Sequence, residues 1–97
     1  MCNARAEQVC TAGEEGAGFA ADAYARVRGL GVVLVTYGVG ALKLLNPVAG
    51  SYAERAPVLV ISGAPGVGEL EEHGFQLHHS MKMADSQHRI FKEVRRP

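Results

Sequence analysis

Tryptophan is absent from this sequence and cysteine is scarce, with Cys2 and Cys10 the two present in 97 residues. That pair makes neither a C-x-x-C motif nor a disulfide framework, so a reduced compartment is expected. Net charge is missing as well, because ten basic residues cancel ten acidic ones. No global field therefore draws the chain to nucleic acid or to an anionic membrane. Long apolar runs are lacking too: the longest, residues 29–37, falls far short of the ~20 residues of a membrane-spanning helix. The opening stretch, Met1-Cys-Asn-Ala-Arg-Ala-Glu7, has no apolar core of a secretory leader. These absences lead to the expectation of a cytoplasmic protein with no nucleic-acid and no membrane partner. Disorder is disfavoured, since 47% hydrophobic against 21% charged residues leaves ample apolar surface to bury. A chain of this length makes one domain.

What the sequence does hold is an alternation of periods. Residues 15–28 have helical spacing, with Phe19, Ala20, Ala23, Tyr24 and Val27 predicted as the apolar face. Glu14 and Glu15 suit the helix start, Asp22 and Arg26 pair at i,i+4, and Gly29 supplies the stop. Residues 31–37 and 57–62 are β-branched runs with little alternation, the mark of parallel strands covered on both faces. Between them, Gly38-Val39-Gly40 turns into a helix over residues 41–56 carrying Leu42, Leu45, Val48, Ala49 and Tyr52. Pro47 should kink or break it near Asn46. A glycine-rich polar loop, the pair His78-His79 and a short helix over residues 86–94 complete the chain, while residues 1–13 show neither period. The fold class is α/β, a partial three-layer αβα domain with a parallel sheet. Two strands and two or three helices leave such a sheet with uncovered faces and edges, as if the first strand and last elements were lacking.

Single motifs carry little. Gly38-Val-Gly40-Ala-Leu-Lys43 follows a strand as a dinucleotide fingerprint should, yet Lys43 stands at the third glycine position and no acid closes the following strand. Gly63-Ala-Pro-Gly-Val-Gly68 has the spacing of a phosphate loop, but Glu69-Leu70 replaces its Lys-Ser/Thr pair and would repel phosphate. His73, His78, His79 and His88 lie near Glu71 and Glu72 without any metal-ligand spacing. Glu14 is the most suggestive single residue. Buried at the mouth of a helix it would have a raised pKa and exchange protons near neutrality; as a simple first-turn acid it would only stabilise the dipole.

Read as blocks, the chain says more. Glu14-Glu-Gly-Ala-Gly-Phe-Ala-Ala-Asp-Ala-Tyr-Ala-Arg26, Val35-Thr-Tyr-Gly-Val-Gly-Ala-Leu42, Asn46-Pro-Val-Ala-Gly-Ser-Tyr-Ala-Glu54, Pro57-Val-Leu-Val-Ile-Ser-Gly-Ala-Pro65, Leu77-His-His79 and Phe91-Lys-Glu-Val94 together resemble the N-terminal, pyrimidine-binding domain of thiamine-diphosphate-dependent 2-oxo-acid decarboxylases. The resemblance spans residues 10–94. It implies that Glu14 hydrogen-bonds the aminopyrimidine ring of thiamine diphosphate and thereby promotes loss of the thiazolium proton. It implies that Thr36, Gly38 and Val39 line the pyrimidine edge, and that His78 and His79 position a 2-oxo acid and relay protons while carbon dioxide leaves and an aldehyde forms. The His-His pair is similar to the decarboxylase branch and unlike acetolactate-synthase-type carboligases. The wording of residues 58–65 resembles indolepyruvate and phenylpyruvate decarboxylases more than pyruvate-specific ones.

Departures from that family bound the expectation. Its Pro-Gly-Asp strand, its Gly-Asp-Gly block and the Asn that holds magnesium with the diphosphate find no match in residues 1–97, and Pro47 stands where the family commonly has glycine. The chain thus resembles a truncated pyrimidine-binding domain, with magnesium held by the diphosphate-binding domain and cofactor sites formed between subunits of a homo-oligomer. Alone it would supply half a site and no decarboxylation. The alternatives are a piece of a carboligase, or a non-catalytic module that pairs with a larger homologue through the helix of Tyr24 or the helix ending at Glu54.

Overall fold

Small residues decide how the first helix packs. In the computed structural model, which describes residues 7–68, 72 and 78–95, helix α1 (Glu14–Arg28) has an acidic first turn, a basic last turn and a left-handed Gly29 at its C-cap, all favourable to the macrodipole and the stop. Its buried positions are Gly18, Ala21 and Ala25. The stripe predicted from sequence is on the other side: Phe19, Tyr24 and Val27 are exposed. Both sets have helical spacing, so period alone could not rank them. Close approach does. A Cβ at Gly31 would overlap the Ala21 carbonyl, and one at Gly18 would overlap the Pro47 ring and lie 2.9 Å from Leu44 Cδ2.

Strands β1 (Gly31–Val35) and β2 (Val58–Ser62) pair in parallel, from Gly31 opposite Val58 to Val35 opposite Ser62. Hydrogen bonds from Gly31 N–H to the Pro57 carbonyl and from Gly63 N–H to the Val35 carbonyl, both 3.0 Å, extend the ladder at each end. Parallel strands need a crossover, and here two helices supply it. Helix α2 (Val39–Leu42) is a single turn, and α3 (Leu45–Glu54) follows after Lys43 and Leu44. The break therefore falls just ahead of Asn46. Pro47 sits in the first turn of α3, where its missing N–H costs no intrahelical bond, and its ring is fully buried against the Gly18 face of α1.

The core is Ala21, Val33, Ala41, Leu44 and Phe91, the last from helix α4 (Ser86–Lys92). Burial of Leu44 and Phe91 stabilises the fold by roughly 1.5–3 kcal/mol each. A polar clamp joins α1 to α3: the buried Ser51 hydroxyl donates to Asp22 Oδ1 at 2.7 Å, and Arg26 Nε donates to Asp22 Oδ2 at 2.7 Å. The Arg26 bond first, and the Ser51 bond second, hold the Asp22 carboxyl below its usual pKa.

Core contacts gather on the sheet face of Gly31, Val33, Val58 and Val60. On the opposite face Val32, Leu34, Leu59 and Ile61 are 45–70% exposed. The unalternating strand composition suits cover on both faces, but the few helices are expected to leave part of the sheet bare. Among the described residues one face is open, because α1 and the residues packed with it all lie on the other. The α/β class stands, as helices around a two-stranded parallel sheet.

Candidate functional site

The C-terminal ends of parallel strands are where open α/β sheets bind ligands, and the start of α1 reaches that end. Glu14, its first residue, is half-buried. One carboxylate oxygen, Oε1, lies 3.3 Å from where a Cβ of Gly40 would stand, so it rests against bare backbone. The same missing Cβ leaves room for the Thr36 methyl, which would otherwise be 2.6 Å away. Glu14 Oε2 faces Lys43 Nζ at 3.4 Å. The Glu14 pKa is lowered, chiefly by a hydrogen bond from its own backbone N–H; desolvation pushes it up, and Lys43 adds smaller downward contributions. Of the two expectations for Glu14, the lowered value fits the first-turn acid that stabilises the dipole, not the buried carboxylate with a raised pKa. The site is open enough, and rich enough in donors, to favour the charged form.

A second cluster lies on the same loop. Gly38 is buried with φ 68° and ψ −125°, a conformation that favours glycine. His79 also has positive φ, 52°. Its side chain packs over Gly38, where a Cβ would lie 2.6 Å from His79 Cβ. The His79 imidazole meets the Tyr37 ring edge-on, with centroids 5.6 Å apart at 87°. The Gly38 N–H donates to Gln87 Oε1 at 2.7 Å, and Gln87 Nε2 donates to Ser62 Oγ at 2.9 Å. One side chain of α4 thus ties the turn after β1 to the end of β2.

Of the residues singled out by sequence, Glu14 and Thr36 meet at Gly40, and His79 meets Gly38. Val39 opens α2 and is exposed, and His78 is exposed beside His79. Lys43, Tyr37 and Gln87 were not foreseen as site residues. Gln87 joins Gly38 across 49 positions, a link with no local signal. Glu69, Leu70, Glu71, His73 and Leu77 lie outside the described residues. Among the described residues no three of His, Cys, Asp or Glu converge as metal ligands, and no helix is long and apolar enough to cross a membrane. A cleft of about 480 Å³ elsewhere, between Val48, Tyr52, Val58, Phe91 and Val94, contains none of the site residues.

Comparison with known proteins extends this geometry. The model of the family described as "Thiamine pyrophosphate enzyme, N-terminal TPP binding domain" matches residues 2–86. The chain is similar to indole-3-pyruvate decarboxylase of Azospirillum brasilense, with 54% identity over 82 residues, covering 84% of this chain and 15% of that protein. It is similar to alpha-keto-acid decarboxylase of Mycobacterium leprae, 46% identical over 88 residues, 89% of this chain and 15% of the relative. The Mycobacterium tuberculosis protein of that name is 44% identical over 88 residues, 89% of this chain and 16% of its own length. The chain therefore spans about a seventh of the length of these curated relatives.

Proposed function

The chain belongs to the family of thiamine pyrophosphate enzyme N-terminal TPP binding domains, and from that membership we propose that it supplies the aminopyrimidine side of a thiamine diphosphate site in a 2-oxo-acid decarboxylase. Thiamine diphosphate, when bound, supplies the electron sink for decarboxylation. The residues present suit it. An aminopyrimidine wants a carboxylate on its ring nitrogen and backbone that comes close along one edge. Glu14 offers the first, and the turn of Thr36, Gly38 and Val39 offers the second. Glu14 holds or shares a proton at the ring nitrogen. His78 and His79, the latter packed on Gly38, orient the 2-oxo acid and pass protons to the reacting carbon. The aryl 2-oxo acid named for the Azospirillum relative is the preferred substrate class, and the product is the matching aldehyde. Magnesium belongs with the diphosphate on a second domain, the whole acts as a homo-oligomer, and the reaction takes place in the cytoplasm.

The observation that carries this reading is the Glu14 carboxylate seated on the bare backbone of Gly40, at the sheet end where the turn after β1 begins. Titrating the isotope-labelled chain with thiamine diphosphate and magnesium tests it by NMR. Shifts should concentrate at Glu14, Thr36, Gly38 and Val39 and vanish in Glu14→Gln. Shifts scattered over the surface, or unchanged in that variant, would refute the assignment.

The exposed stripe Phe19, Tyr24 and Val27 on α1 favours a second reading, a module that pairs with a larger homologue. Sedimentation of the chain mixed with such a homologue separates the two: co-sedimentation that Tyr24→Asp abolishes supports pairing.

A further inference from the structure

The two oxygens of Glu14 have different surroundings. Oε1 lies against Gly40, while Oε2 faces the ammonium of Lys43 at 3.4 Å. Lys43 is the C-cap of α2, so the crossover turn that carries the pyrimidine-lining backbone also carries this cation. Its side chain is 63% exposed and that of Glu14 is 34% exposed. The pair is thus at the rim, where an ion pair is weak and opens readily. The neighbouring carboxylate of Glu15 is engaged elsewhere, its Oε1 accepting from Asn46 Nδ2 at 3.1 Å.

A carboxylate that accepts from an ammonium holds protons less readily. Sharing a proton with a ring nitrogen asks the opposite of it. We propose that Lys43 is a positioning residue that competes with the aminopyrimidine for Glu14, so that ring binding displaces its ammonium from Oε2 into solvent. This rests on the assignment of Glu14 to the pyrimidine ring. It adds a residue that works against binding, and a means of setting how tightly the ring is held without any change to the groups that touch it.

The test uses the full 97-residue chain with Glu carboxyl carbons labelled, as wild type, Lys43→Gln and Lys43→Arg. Two quantities are read: the Glu14 titration midpoint, and the dissociation constant for thiamine, which carries the ring but no diphosphate. Lys43→Gln should raise the midpoint and tighten thiamine roughly two- to fivefold, the range expected for release of one rim ion pair. Lys43→Arg keeps the charge and should behave as wild type. An unchanged midpoint in Lys43→Gln overturns the proposal, because the ion pair then has no hold on Glu14. A raised midpoint with unchanged or weaker thiamine binding overturns the competition. If thiamine leaves the Glu14 signal unmoved in every variant, the pyrimidine assignment fails first and the competition with it, while a raised midpoint would still register the ion pair.

Discussion

Replacing two mid-helix glycines by alanine separates backbone preference from packing. Gly18 lies inside α1 and Gly50 inside α3. In both helices alanine is favoured over glycine by about 1 kcal/mol. The surroundings differ. Nothing lies within 4 Å of a Cβ built on Gly50, so Gly50→Ala should gain about 0.5–1 kcal/mol, part of it from a less flexible unfolded chain. A Cβ on Gly18 would overlap the Pro47 ring and lie 2.9 Å from Leu44 Cδ2. Both neighbours are fully buried and cannot swing away, so overpacking of about 1–3 kcal/mol is added. The net for Gly18→Ala is a loss of up to about 2 kcal/mol. The two variants should thus differ by about 1–3 kcal/mol, with opposite signs. Urea unfolding followed by circular dichroism reads this, and melting temperatures should separate by several degrees, at about 4–8 °C per kcal/mol for a domain of this size. Equal stabilisation by both substitutions would refute the packing of α1 on α3 through Gly18.

Three further outcomes are expected. Gln87→Ala deprives the buried Gly38 N–H of its acceptor and should speed hydrogen exchange at that amide, while exchange at Val33 in the sheet interior stays slow. Asp22 titrates below its ordinary 3.8 in the folded chain, so its contribution is present above that value and fades as pH falls through the lower folded one. Acid unfolding should start at higher pH in Ser51→Ala, which loses the buried hydroxyl bond and about 1 kcal/mol. Leu34→Thr with Ile61→Thr, on the open sheet face, should lower binding of a hydrophobic dye with little change in melting temperature, since threonine keeps strand preference; a large drop in melting temperature would mean that face is packed.

The element order was readable because each run carries its own period and stop. The β-branched runs became the two parallel strands, and Gly29 ended α1 as expected. Pro47 announced a break, and its burial in the first turn of α3 explains why the break falls before it. The burial of α1 was misread because large side chains suggest a core face, whereas contact between a helix and a strand glycine selects small ones. At the candidate site, Glu14, Thr36 and Gly38 were legible as a motif. The influence of Lys43 on Glu14 and the reach of Gln87 to Gly38 were not, since both depend on neighbours that only the tertiary fold creates.

Gly18, Gly31 and Gly40 each bring α1 against another part of the chain with no side chain of their own between: Pro47 and Leu44 at the first, the Ala21 carbonyl at the second, the Glu14 carboxylate at the third. Three such seats fix a rigid rod as a tripod fixes an instrument. The rod's end is Glu14, about 10 Å along the axis from Ala21 at 1.5 Å per residue. Its placement is thus set where bare glycine backbone lets the neighbouring groups come close. A methyl group added at Gly31, remote from the carboxylate, would tilt the rod and be felt as misalignment at its tip.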